Sequence, residues 1–130
     1  MCIRDRRNTS QWAADLDNPA NRKFVEDFKK AYNRSPTLYA SQGYDAAMLL
    51  DSAVRQTGGK LEADALRPAL RRADFKSVRG DFKFNRNQYP VQNYYLRVVE
   101  AGADGKLANK LSGTVLTQYQ DPFAAACQMK

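Results

Sequence analysis

The chain has 130 residues, 43% apolar and 27% charged, which is enough for one domain with a real core and argues against disorder over most of its length. Its 21 Lys+Arg against 14 Asp+Glu leave a formal charge of +7, which permits an anionic partner without demanding one. There is no histidine, Cys2 and Cys127 stand near opposite ends with no CxxC, and no apolar run approaches the roughly 20 residues of a spanning helix; zinc sites, histidine-based acid–base catalysis and a transmembrane helix are excluded.

The opening Met-Cys-Ile-Arg-Asp-Arg matches no helix, strand or targeting pattern, and residues 1–8 are expected to be a non-native or disordered leader. Thr9 to Ala13 is short and holds the single tryptophan, Trp12. Asp15-Leu16-Asp17-Asn18-Pro19 then reads as a loop that ends in a helix start, with Asn18 as N-cap and Pro19 at the first helical position. Phe24, Val25, Phe28, Ala31 and Tyr32 form one apolar face of this helix, while Arg22, Lys23, Glu26, Asp27, Lys29 and Lys30 face water. It must stop before Ser35-Pro36, because the residue ahead of a proline avoids helical angles. Thr37 to Ala40 is expected to be extended, and the two helices it joins suggest a crossing between packed units.

Ser41 to Gly58 carries the strongest helix signal, with Ser41 as the expected N-cap and Gly58-Gly59 as the stop. At 100° per residue, Ala46, Leu49, Leu50, Ala53, Val54 and Thr57 fall on one apolar face. Tyr44 lies about 120° from Leu50 and, on this reading, in the first turn beside unpaired N–H groups and the positive end of the helix dipole. A phenol in that position can hold a small anion with an apolar body; the plainer alternative is a half-exposed tyrosine packing on Met48.

A third helix is expected from about Glu62 to Arg72, with a kink or two shorter turns at Pro68. Beyond Ser77 the period changes: Gly80 to Phe84 alternates as a half-buried strand, Asn85 to Gln88 is turn-like, and Val91 to Val99 is a second strand. Ala101 to Gly105 turns the chain again, Leu107 to Leu116 forms a last strand, and Pro122 to Ala126 is a candidate short helix. The pattern is an α/β chain in which helices are followed by a β-meander.

Little here carries catalytic chemistry. Asp15 with Asp17, and Asp45 with Asp51, are paired carboxylates without a base, nucleophile or metal context, and read as solvated or capping groups. No phosphate-binding glycine loop and no nucleophile elbow is present, so no enzyme, cofactor or metal site is expected. The Arg79–Arg97 stretch, with Phe82, Phe84, Tyr89, Tyr94 and Tyr95, has the composition of a stacking sheet for single-stranded nucleic acid but lacks the glycine–aromatic pattern that makes such a reading specific. A small basic α+β domain binding nucleic acid is the rival reading.

Asn18 to Val25, Ser35-Pro36 to Tyr39-Ala40, Gly43-Tyr44-Asp45-Ala46-Ala47 and Gly80-Asp81-Phe82-Lys83-Phe84, in this order and spacing, closely resemble the C-terminal part of type I periplasmic substrate-binding proteins, the leucine/isoleucine/valine-binding kind that serves ABC importers. Pro90 to Val99 and Asp121 to Cys127 look most like members that bind aromatic or other hydrophobic carboxylates. The resemblance covers about Thr9 to Lys130. It implies the C-terminal fragment of a two-lobed fold with a ligand trapped between lobes, in which 9–36 belongs to the second lobe, 37–100 to the first, and 101–130 to the hinge return and tail. It places the family's cleft-lining aromatic on Tyr44, with Gln42 and Trp12 near segment ends that approach the cleft, and most of the pocket upstream. It further implies a small-molecule ligand, a membrane permease as partner, no nucleic acid, a monomer when full length, a periplasmic location with a signal peptide upstream, and Cys127 paired with an upstream cysteine rather than Cys2.

Overall fold

The computed structural model describes residues 4–102 and 104–128; Cys2 lies outside the described residues. Strand β1 (Arg7–Ser10) is followed by helices α1 (Pro19–Tyr32), α2 (Leu38–Gln56) and α3 (Ala63–Arg72), then strands β2 (Lys83–Phe84), β3 (Pro90–Ala101) and β4 (Leu107–Tyr119) and a short 3₁₀ turn at Ala124–Ala126. The expected order of helices and then a meander is present, since β3 pairs antiparallel with both β2 and β4. The strand β1 was not expected: Arg7 and Asn8 fall in the stretch read as a leader, yet β1 pairs antiparallel with β3, from Arg7 opposite Val98 to Ser10 opposite Tyr95. Its four residues are polar and carry no alternation, so the strand exists because distant partners hold it. Arg97 donates from Nε and Nη2 to Asn8 Oδ1 at 2.9 and 2.6 Å, and Asn8 Nδ2 donates to Asn109 Oδ1 on β4 at 2.7 Å.

Helix α1 begins as expected. Asn18 Oδ1 accepts from the backbone N–H groups of Ala20 and Asn21 at 2.9 and 3.4 Å, with Pro19 at the first helical position. Its inner face is shorter than the apolar pattern implied: Asn21 and Phe24 are buried, Val25 and Phe28 half-buried, and Ala31 and Tyr32 exposed. Asn21, fully enclosed at 0% exposure, accepts from Trp12 Nε1 at 2.7 Å and donates to the carbonyls of Ala13, Ala14 and Leu16 at 3.1–3.4 Å. The core then gathers Trp12, Ala13, Leu16, Phe24, Val78 and Tyr95, so residues 12–16, α1, the segment before β2 and strand β3 meet in one cluster.

Helix α2 departs from expectation at its start and on its face. It is capped by Thr37, whose hydroxyl accepts from the Ala40 N–H at 3.3 Å, so Leu38 to Ala40 are helical rather than extended. Proline at 36 sets the break one residue earlier, and the threonine next to it is as able to cap as Ser41. Ser41 is instead buried in the helix and donates to the Leu38 carbonyl at 2.7 Å. The expected stop holds: the N–H groups of Gly58 and Gly59 return to the carbonyls of Arg55 and Val54, at 3.1 and 2.9 Å, with φ of +61° and +85°. Of the predicted inner face only Ala53 is fully buried, Leu49 and Thr57 are half-buried, and Ala46, Leu50 and Val54 are exposed. The buried positions are Ser41, Asp45, Ser52 and Ala53. The helix is rolled away from its apolar stripe because its polar inner residues all find partners. Helix α3 runs through Pro68 as one segment rather than two. The first expected strand contracts to two residues, while the turn at Asn85–Gln88 forms with Asn85 N–H on the Tyr89 carbonyl at 2.8 Å.

Candidate functional site

The residues picked from sequence as ligand contacts, Tyr44, Gln42 and Trp12, sit in quite different surroundings. Trp12 is 3% exposed, its indole N–H is committed to Asn21, and its ring stands edge-on to Phe24 at 6.3 Å. Tyr44 is half-buried against the same phenylalanine, with ring centroids 4.8 Å apart at a 43° tilt. Phe24 thus joins Trp12 and Tyr44 in one aromatic wall, which the structure brings together and roots in the core. Among the described residues the Tyr44 hydroxyl has no hydrogen-bond partner. Gln42 is exposed and, two residues earlier on a helix of about 100° per residue, points to nearly the opposite side of α2 from Tyr44.

The earlier start of α2 changes what lies in its first turn. Tyr44 is a full turn further in than the sequence suggested, so it has no access to the unpaired donors. With the Ala40 N–H on the Thr37 hydroxyl and the Ser41 N–H on the Thr37 carbonyl at 3.1 Å, the Leu38 and Tyr39 N–H groups are left without a partner among the described residues. Tyr39 is 79% exposed and, among the described residues, its ring touches no other aromatic. Gln42 follows it at i+3 on the same side, and Gly43 between Gln42 and Tyr44 leaves open space where a side chain would stand. An exposed phenol, a side-chain amide and two free N–H groups at the positive end of a 19-residue helix can face a carboxylate that carries an apolar body. Tyr39 escapes a reading of the sequence in which Thr37 to Ala40 is extended; Pro36-Thr37 as a helix start is the local signal that finds it.

Beneath this turn, Asp45 is buried rather than solvated. Its Oδ2 accepts from Ser77 Oγ at 2.6 Å and Arg79 Nε at 2.9 Å, and its Oδ1 from the Val78 N–H at 3.0 Å. The other carboxylates do behave as exposed groups: Asp51 pairs with Arg55 at 2.9 Å, Asp17 with Arg22, and Asp15 accepts from the Leu111 N–H at 3.1 Å. The sheet offers no row of stacking rings. Tyr95 is buried, Tyr94 is edge-on to Tyr119 at 5.7 Å, and the half-buried Phe82 packs against Phe75, Phe84 and the Arg79 guanidinium. Among the described residues, no group of three or more acidic or cysteine side chains is placed to hold a metal ion.

Comparison with known proteins gives one consistent result. The family model described as "Periplasmic binding protein" matches residues 7–106. Leu/Ile/Val-binding protein homolog 6 of Brucella abortus (strain 2308) is 34% identical over 105 residues, which cover 78% of this chain and 27% of that protein. Among solved structures, a solute-binding protein of an ABC transporter from R. palustris in complex with benzoate is 35% identical with a TM-score of 0.84, over 97% of this chain and 34% of that one. A second, from Rhodopseudomonas palustris BisB5 with 3,4-dihydroxybenzoic acid, is 30% identical with a TM-score of 0.81, over 92% and 32%. The leucine-, isoleucine-, valine-, threonine- and alanine-binding protein of Brucella ovis shares the fold at 20% identity, TM-score 0.77, over 98% and 35%. The chain therefore spans 27% of the length of the curated relative and about a third of the solved ones.

Proposed function

The chain belongs to the periplasmic binding protein family, and from that premise we propose that the intact protein is the solute-binding component of an ABC importer, capturing a small aromatic or hydrophobic carboxylate in an interlobe cleft. The first turn of α2 carries this reading: the exposed Tyr39, Gln42 at i+3, and the free N–H groups of Leu38 and Tyr39 together match an apolar ring bearing a carboxylate. The likeness to the benzoate- and dihydroxybenzoate-bound proteins favours an aromatic acid over a branched-chain amino acid. Tyr39 and Gln42 contact the ligand, while Tyr44 and Trp12 belong to the aromatic cluster around Phe24 and support the fold. The remaining contacts belong to the rest of the protein, which also delivers it to the periplasm and, as a monomer, to the permease. No step of this function is chemical.

The test is calorimetric titration of the intact protein with benzoate, 4-hydroxybenzoate and leucine, repeated on Tyr39→Ala. Loss of a ring contact and one hydrogen bond is expected to cost on the order of 1–3 kcal/mol, or roughly 5- to 150-fold in Kd. Tyr44→Ala is expected to lower the melting temperature more than it weakens binding. An unchanged Kd in Tyr39→Ala removes this turn from the site.

A further inference from the structure

We propose that the buried Asp45–Arg79 ion pair is a positioning device that fixes the rotation of α2 and so aims its ligand-facing first turn; this rests on the reading of that turn given above. The fully buried residues of α2 are all small, Ser41, Asp45, Ser52 and Ala53, and the larger Tyr44, Met48 and Leu49 are only half-buried. Small residues let a helix sit close to its neighbours but offer no large knob to stop it rolling. The directional contact is Asp45, whose side chain is 1% exposed and which accepts hydrogen bonds from Ser77, Val78 and Arg79.

Arg79 carries the constraint onward. Its Nη1 donates to Gln92 Oε1 on β3 at 2.9 Å, its carbonyl accepts from the Tyr95 hydroxyl at 2.9 Å, and its guanidinium lies 4.8 Å from the Phe82 ring centre. One carboxylate thus links α2, the segment 77–79 and two residues of β3. Asp45 follows Gln42 by three residues and Tyr39 by six, about 60° and 120° around the helix, so its grip fixes the rotation at which the neighbouring Gln42 and Tyr39 stand exposed. If the grip is lost, only a fraction of molecules holds the first turn in the binding pose, and apparent affinity falls by that fraction.

The experiment uses the intact protein and the probes benzoate and leucine. Asp45→Asn keeps the shape and the acceptor for Val78 but removes the charge facing Arg79. Ala53→Gly, on the same helix and equally buried, serves as a destabilised control that leaves the pair untouched. Asp45→Asn is expected to weaken the bound probe by about tenfold and to speed hydrogen exchange at residues 38–44. Ala53→Gly should lower the melting temperature while Kd stays within about twofold. Should Asp45→Asn fail to fold, Arg79→Lys, which keeps the charge but loses the fork that reaches Asp45 and Gln92 together, replaces it under the same criteria. An unchanged Kd in the clamp variant, with a weakened Tyr39→Ala, overturns the proposal and leaves the ligand-facing turn standing. If Tyr39→Ala is also unchanged, or neither probe binds the parent protein, the reading of the turn falls and the proposal with it.

Discussion

Replacing Asn21 by alanine should be among the costliest single changes in this segment. The side chain is 0% exposed, accepts the Trp12 indole N–H at 2.7 Å, and donates to three carbonyls of residues 13–16. Two N–H hydrogens serve those three acceptors, so the variant loses one accepted and two donated bonds and leaves Trp12 with a buried, unpaired donor. At about 1–1.5 kcal/mol per bond the loss comes to about 3–5 kcal/mol. Asn21→Asp should be worse, because it turns an anion towards carbonyl oxygens, and none of the Asn21 hydrogen-bond partners is a cation. Trp12→Phe removes the one bond together with part of a buried ring, and so carries a packing cost of its own. The assay is chemical denaturation of the intact protein followed by circular dichroism, on both single variants and the double variant. The double variant is expected to be more stable than the sum of the singles predicts, by about 1 kcal/mol or more. Additive effects, or an Asn21→Ala loss below about 1 kcal/mol, would refute the claim that this asparagine organises the 12–16 loop.

Two further outcomes follow from the helices. Ala53→Asp buries an unpaired charge at a 0% exposed position and should be strongly destabilising in thermal melts, while Arg55→Ala, at an exposed site paired with Asp51, should change stability by no more than about 0.5 kcal/mol; equal effects would mean the faces of α2 are misassigned. On α1 the hydrogen bond and charge of Lys23 hold Asp27 below its ordinary value of 3.8, and the same contacts hold Lys23 above 10.5. The pair's small contribution is therefore fully present between those two values, fades as pH falls through the lowered Asp27 value, and fades again as pH rises through the raised Lys23 value. Carbon-13 titration of the Asp27 carboxyl should show the depression relieved in Lys23→Gln; an unchanged midpoint would show that the pair is not formed in solution.

What the sequence determined by itself was local. Asn18-Pro19 opens α1, Gly58-Gly59 closes α2, and Asn85–Gln88 turns the chain, because each depends on the conformational range of a few neighbouring residues. The order of helices before a meander was legible for the same reason, and motif order and spacing pointed to the family. The tertiary structure alone decided which side of α2 is inside, since burial of Asp45 is tolerable only with Ser77, Val78 and Arg79 already in place, more than thirty residues away. Apolar periodicity favoured the side with Leu50 and Val54, and it has no means of counting such distant partners. Strand β1 and the Asn21 hub were hidden likewise: polar residues read as surface until Arg97 and Trp12 are brought to them. The start of α2 lay between the two cases, for Thr37 and Ser41 are equal caps locally. The chain starts the helix at Thr37, which buries Ser41, and that choice moves the exposed first-turn aromatic from Tyr44 to Tyr39.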